Sequence, residues 1–189
     1  MNHPLIRKPL PRVRTTLRQR GVTMLESLIA VTVTAVSLGA ALPGFEQARE
    51  RRQIEGAAAQ LRTDIMYTRG LAVAGNRGVR MGFESLAAGS CYVVHTGPSN
   101  ACSCTNAGTA ICSAGAEAIR TVYFPAGGPV GVRANVRSIL FDPEKGTSTP
   151  TGTLRVVGRS DAAIHQVVNI MGRVRSCSPA AGVAGYPRC

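Results

Sequence analysis

The stretch Val22 to Pro43, VTMLESLIAVTVTAVSLGAALP, decides how this chain is read. From Val22 to Leu42 it carries one charge, Glu26, over a length that lets an α-helix cross a hydrocarbon core of about 30 Å. Directly before it, residues 1–21 hold the cations Arg7, Lys8, Arg12, Arg14, Arg18 and Arg20 and no acid. The positive-inside rule then puts this flank in the cytoplasm and everything after Pro43 on the other side of the membrane. A secretory signal would end in a small-residue cleavage site and be discarded. No Ala-x-Ala site opens the region after Leu42, so the apolar helix is expected to be retained. Pro43 removes a helix hydrogen bond and Gly44 adds backbone freedom, so a bend or local melting is expected there.

Working outward, a second helical pattern follows. Ile54, Ala58, Leu61, Ile65, Thr68 and Ala72 recur at spacings of four and three, one face of an amphipathic helix. Glu46, Arg49, Glu50, Arg52, Glu55, Arg62 and Asp64 give the remaining faces mixed charge, which reads as a solvated surface. The helix is expected to end near Ala74, with Gly75-Asn76 as its stop signal.

Beyond Asn76 the period changes to that of strands. Runs with β character occur at Gly78–Phe83, Cys91–His95, Ile119–Phe124, Val136–Phe141, Gly152–Val157 and Ile164–Met171, separated by Gly, Pro, Ser and Asn clusters. A sheet must bury one face, and the apolar stripe from Ile54 to Ala72 is the element available to lie on it. The expected fold is therefore α+β: a long N-terminal helix, half transmembrane and half amphipathic, packed on a C-terminal β-sheet head. The organisation expected is a leader over residues 1–21, a membrane helix over 22–44, an amphipathic stem over 45–76, and a β-rich head over 77–189 with a disulfide-closed tail.

The chain of 189 residues carries a formal charge of +12. Without its basic flank it is still about +6, which favours anionic partners such as nucleic acid or phospholipid. Six cysteines in a chain with four Phe, four Tyr and no Trp indicate disulfides supporting a small core in an oxidising compartment. Zinc sites use paired Cys/His clusters. Here Cys102-Ser-Cys104 is the one tight pair, and His95 and His165 stand alone, so no metal and no cofactor is expected. Six cysteines allow 15 pairings. Cys91 to Cys112 brackets a polar loop suited to a bridge, and Cys177 with Cys189 is the favoured pair at the C-terminus. There is no G-x-S-x-G elbow, no HExxH and no P-loop, so no constellation supports catalysis.

Arg20-Gly21-Val22-Thr23-Met24-Leu25-Glu26 resembles the prepilin peptidase motif of type IV pilins and type II secretion pseudopilins. The resemblance implies cleavage between Gly21 and Val22 and N-methylation of the new terminus. It makes Glu26 the fifth mature residue and Pro43 the twenty-second, where pilins commonly carry a kinking Pro. A carboxylate in a membrane helix is costly, and its implied role is filament assembly, accepting the α-amino group of a neighbouring subunit's Val22. The passage AAAQLRTDIMYTRGLAVAGNRGVRMGF is similar to the helix-to-first-strand region of FimT and GspH-like minor pilins. SILFDPEKGT, TLRVVG and HQVVNIMGRVRSC look like that group's last strands.

Gly172-Arg173-Val174-Arg175 matches the Gly-Arg-x-Arg motif with which FimT-like minor pilins of natural transformation bind DNA. In an extended segment both guanidinium groups lie on one face, and each can take a phosphate with paired hydrogen bonds. Arg188, Arg155 and Arg159 are weaker candidates for the same surface, with Arg133 and Arg137 widening it. The resemblance thus implies a minor pilin of a type IV pilus that binds extracellular DNA and assists its uptake. The alternative is a structural tip pseudopilin of a type II secretion system. Implied partners are DNA, other pilin subunits, prepilin peptidase and, before assembly, the bacterial inner membrane, with the C-terminus periplasmic.

Overall fold

The computed structural model describes residues 21–179 and 183–189. The leader expected over residues 1–21 lies, apart from Gly21, outside the described residues. The chain divides into two compact units, Met1–Leu42 and Pro43–Cys189.

Helix α1 (Met24–Ala74) has 51 residues. Thr23 caps it: the Glu26 N–H donates to Thr23 Oγ1 at 3.3 Å and the Ser27 N–H to the Thr23 carbonyl at 3.1 Å. In the first unit Leu25, Leu28, Ile29, Val31, Val33, Val36 and Leu38 are all exposed, on a helix long and apolar enough to cross a membrane. Its hydroxyls do not stay free. Thr32, Thr34 and Ser37 donate back to carbonyls one turn earlier at 2.7 to 3.0 Å, as an apolar surrounding requires of polar groups. Of the bend or local melting expected at Pro43 and Gly44, melting does not occur: the helix runs unbroken from Met24 to Ala74. Proline costs the helix its own N–H bond, and the bonds on either side hold the element together.

In the second unit Ile54, Ala58, Leu61, Ile65, Thr68 and Ala72 are fully buried, as a stripe of this period must be when a sheet covers it. The helix closes with a Schellman arrangement. Arg77 N–H donates to the Ala72 carbonyl at 3.2 Å and Asn76 N–H to that of Val73 at 3.3 Å, and Asn76 itself takes the positive φ of 44°. Asp64 departs from its expected solvated setting. It lies three residues after Leu61 and one before Ile65, on the margin of the stripe, and is buried.

Eleven strands follow among the described residues. β1 (Val79–Leu86), β2 (Gly89–Thr96), β5 (Ala118–Pro125), β7 (Ser138–Phe141) and β8 (Ser148–Thr149) form one antiparallel sheet in the order β5-β2-β1-β7-β8. β6 (Val130–Ala134), β9 (Gly152–Gly158), β10 (Ala163–Val168) and β11 (Val174–Cys177) form a second, ordered β11-β10-β9-β6. The short pair β3 (Cys102–Cys104) and β4 (Ala110–Cys112) makes a hairpin of its own. One core unites the stripe of α1 with Val79, Met81, Tyr92, Val94, Ile139 and Phe141 of the first sheet and Val132, Leu154, Val156, Ile164 and Val168 of the second.

The opposite face of β2 is also covered. Cys91 and Val93 pack with Cys102 and Cys104 of the small hairpin, joined by Cys91–Cys104 and Cys102–Cys112 disulfides. A third bond joins Cys177 to Cys189. Six strand regions were expected, and β3, β4, β6, β8 and β11 come in addition. The run expected to extend from Ile164 to Met171 stops at Val168, because Asn169 begins a turn.

Candidate nucleic-acid interface

The Gly-Arg-x-Arg segment runs from a turn into the last strand, β11. Residues 169–173 connect β10 to β11. Asn169 N–H donates to the Arg173 carbonyl at 3.1 Å and Gly172 N–H to that of Asn169 at 2.8 Å, while Asn169 Oδ1 accepts from Arg173 N–H at 2.9 Å. Gly172 holds φ at 68°. A Cβ there would stand 2.5 Å from the Gly146 carbonyl oxygen and 3.0 Å from Arg69 Cδ and Nε, so conformation and space both require glycine. The turn is fastened to its neighbours. Ser148 donates through its N–H to the Ile170 carbonyl at 2.9 Å and through its hydroxyl to that of Asn169 at 2.6 Å. Arg69 Nε donates to the Gly146 carbonyl at 2.8 Å.

Arg173 and Arg175 emerge exposed from this support. Arg175 is in β11, where strand alternation puts it on the same side as Cys177, and Arg173 immediately precedes the strand. Cys177 is bonded to Cys189, and Ser178 and Arg188 pair as a short parallel bridge. Arg175 Nη2 donates to the Arg188 carbonyl at 3.4 Å. Arg188 and Cys189 therefore lie beside β11, with Arg188 against Arg175.

Register adds residues that linear spacing leaves scattered. Cys177 faces His165, His165 faces Arg155, and Arg155 faces Arg133, one row across all four strands. Neighbours in a row project to the same side. Leu154, Val156, Ile164 and Val168 are in the core, so Arg133, Arg155, His165 and Arg175 share the outer face. Arg133 and Arg155 are exposed. The salt bridges among the described residues are Arg51–Glu55 and Arg120–Asp64, so none of the arginines on this face is neutralised by one. Burial, then the charge of Arg155, holds His165 below the ordinary histidine value.

Arg159 is not part of this face. It lies in the connection from β9 to β10, at the end of β10 opposite residues 169–173, and donates to the carbonyls of Gly127 and Gly128 at 3.0 and 3.4 Å. Arg137 lies in the β6–β7 connection. At the other end of the chain Gly21 and Val22 are exposed before α1, and Glu26 is exposed in its first turn. Among the described residues two groups of ligand-type side chains occur, His165 with Cys177 and Cys189, and Glu84 with Cys91 and Cys104. Their sulfurs are engaged in disulfides.

The antiparallel sheets on one long helix are a pilin fold. Residues 57–172 match the family model described as Type II transport protein GspH. That is more than half of the chain, which belongs to this GspH/FimT-like family of pilins and pseudopilins. Similar solved structures include two crystal forms of the type IV minor pilin FimU of Pseudomonas aeruginosa. One is 16% identical with a TM-score of 0.50, covering 69% of this chain and 96% of that one. The other is 16% identical with a TM-score of 0.47, covering 67% and 98%. At this identity the likeness concerns the fold. No curated protein matches the chain. The protein is a membrane-anchored subunit of a pilus or pseudopilus, made to associate with other pilin subunits. The family match closes at Gly172, so Arg173 and Arg175 stand on their own geometry.

Proposed function

We propose that the chain is a minor pilin of a type IV pilus that binds extracellular DNA without sequence preference through Gly172, Arg173 and Arg175, and assists DNA uptake in natural transformation. The observation that carries this reading is the pair Arg173 and Arg175: exposed, two residues apart, without a salt-bridge partner among the described residues, and presented by a turn held by its own hydrogen bonds and by Ser148. Guanidinium groups so presented match phosphate oxygens in paired geometry. They reach backbone and not base edges, so affinity is electrostatic and falls with salt.

In this reading prepilin peptidase cuts between Gly21 and Val22 and the new terminus is methylated. The chain waits in the bacterial inner membrane with its head in the periplasm, and Glu26 receives a neighbour's α-amino group as the filament grows. The full chain in detergent micelles, titrated against a labelled DNA duplex at several salt concentrations, tests the site. Arg173→Gln with Arg175→Gln should weaken binding and reduce the salt slope by about 1.8, roughly 0.9 per lost phosphate contact. Unchanged affinity and slope would remove the motif from the function.

The family description favours a second reading, a tip pseudopilin of a type II secretion system. Neighbouring genes separate the two: pilus-assembly genes support the first, secretion genes the second.

A further inference from the structure

Arg155 stands on an interior strand. In the order β11-β10-β9-β6, β6 and β11 are the edges and β9 is not. Charges on edge strands discourage stray sheet pairing, which accounts for Arg133 or Arg175 but not for Arg155. Moreover Arg155 and Arg133 are direct cross-strand partners, a like-charge arrangement that destabilises a sheet. No carboxylate forms a salt bridge with either among the described residues. Two cations held opposite each other, exposed and at a cost to the fold, form a site for an anion.

We infer that Arg133 with Arg155, and Arg173 with Arg175, grip the two strands of one DNA duplex, a phosphate backbone resting on each pair. The inference rests on the DNA-binding reading above and names the form of DNA bound. From Arg175 to Arg155 the path crosses two strand spacings and two residues along the sheet, about 12 Å at ~4.8 Å per strand and ~3.4 Å per residue. Arg175 and Arg155 are the nearest members of the two pairs, and the major groove of B-DNA is about 12 Å wide, so the pairs stand a groove's width or more apart, as backbones on either side of it require. Gly131, Thr153, Val157, Ala163 and Val167 share this face, with the Cys177–Cys189 disulfide against His165. No aromatic ring stands among them on which an unpaired base could stack, which disfavours a single strand as the ligand.

The test uses the full chain in detergent micelles, a labelled duplex and a labelled single strand of equal length, and a salt series for each. For Arg133→Gln with Arg155→Gln, the duplex salt slope should fall by about 1.8 and duplex affinity by tenfold or more, while single-strand binding stays near wild type. Arg133→Glu, which gives Arg155 a partner in place of a repulsion, should also lose duplex affinity while unfolding at a denaturant concentration no lower than wild type. Wild-type duplex affinity and slope in the Arg133/Arg155 variant, alongside their loss in the Arg173/Arg175 variant, would overturn the two-strand grip and leave the DNA reading standing. Equal losses on duplex and single strand would overturn it too. A wild-type chain that binds neither form overturns the DNA reading itself.

Discussion

Tyr92 donates its phenol hydrogen to Asp64 Oδ2 at 2.6 Å, linking the middle of β2 to the helix through the core. Arg120 Nε reaches the same carboxylate oxygen at 3.1 Å. Burial and the adjoining carboxylate together push the Tyr92 phenol far up, so it remains a donor throughout the accessible pH range. Hydrogen bonds to a charged group contribute about 1.5–3 kcal/mol. Tyr92→Phe should therefore lose about that much stability, read as a lowered urea midpoint by near-ultraviolet circular dichroism. An unchanged midpoint would show that the bond is not a net contributor.

Gly172→Ala tests the turn without touching charge. A residue with a Cβ loses about 1–2 kcal/mol in the left-handed region, and here the Cβ also meets the Gly146 carbonyl oxygen. The variant should be less stable than wild type and, on the proposed DNA-binding reading, bind DNA more weakly. Wild-type stability and binding would mean that the turn tolerates the methyl group and that glycine is not required.

The Cys177–Cys189 bond closes a loop with a sequence separation of 12. Closing a loop of this size removes unfolded-state entropy worth about 3 kcal/mol. Replacing both cysteines by serine should lower stability by roughly that amount under oxidising conditions, and should make stability at this end insensitive to reductant.

His165 gives the stability curve an acid-side slope. Arg155 from β9, Cys177 from β11 and Cys189 Sγ, 3.5 Å from its Nδ1, surround the ring. Its folded value is lowered, first by burial and then by Arg155. Above the ordinary histidine value both folded and unfolded chains carry a neutral ring, and the full contribution is present. As pH falls through that value the unfolded chain takes up the proton first, so stability is lost until the folded ring is also protonated. Between neutral pH and about pH 5 the wild-type urea midpoint should drop more than that of His165→Asn. Parallel curves would remove His165 as the cause.

Processing makes a separate prediction. The exposed Gly21–Val22 bond should be the cleavage point, so the mature chain begins at Val22, and Gly21→Val should leave the precursor uncut. Intact mass decides between the two forms.

Much of this fold was legible because its period is loud. The stripe from Ile54 to Ala72 keeps helical spacing over five turns, and the runs at Cys91–His95 and Gly152–Val157 alternate or cluster strongly. β11 was missed because Val174–Cys177 is short and carries a charge, and β6 because glycines surround it. Asp64 looked solvated, since nothing in a linear string announces that Tyr92 and Arg120 will converge on it. Arg173 and Arg175 were visible as a local pattern. The row Arg133, Arg155 and His165 was not, because a row perpendicular to the chain exists only once the register of three strands is known. A cue was present in V-R-A, L-R-V and I-H-Q, single polar side chains between apolar or buried neighbours.

The four-stranded sheet keeps its apolar side chains and its arginines on opposite sides by nothing more than odd and even position. A slip of one residue in β6, β9 or β11 would turn Arg133, Arg155 or Arg175 inward against Ile164 and Leu154 and carry core residues out to water. Burying an unpaired guanidinium is far costlier than losing a hydrogen bond. The cations thus act as a proofreading device for the chain that bears them: a one-residue slip of any of these strands buries its arginine, so the charges on this face enforce the pairing that builds it.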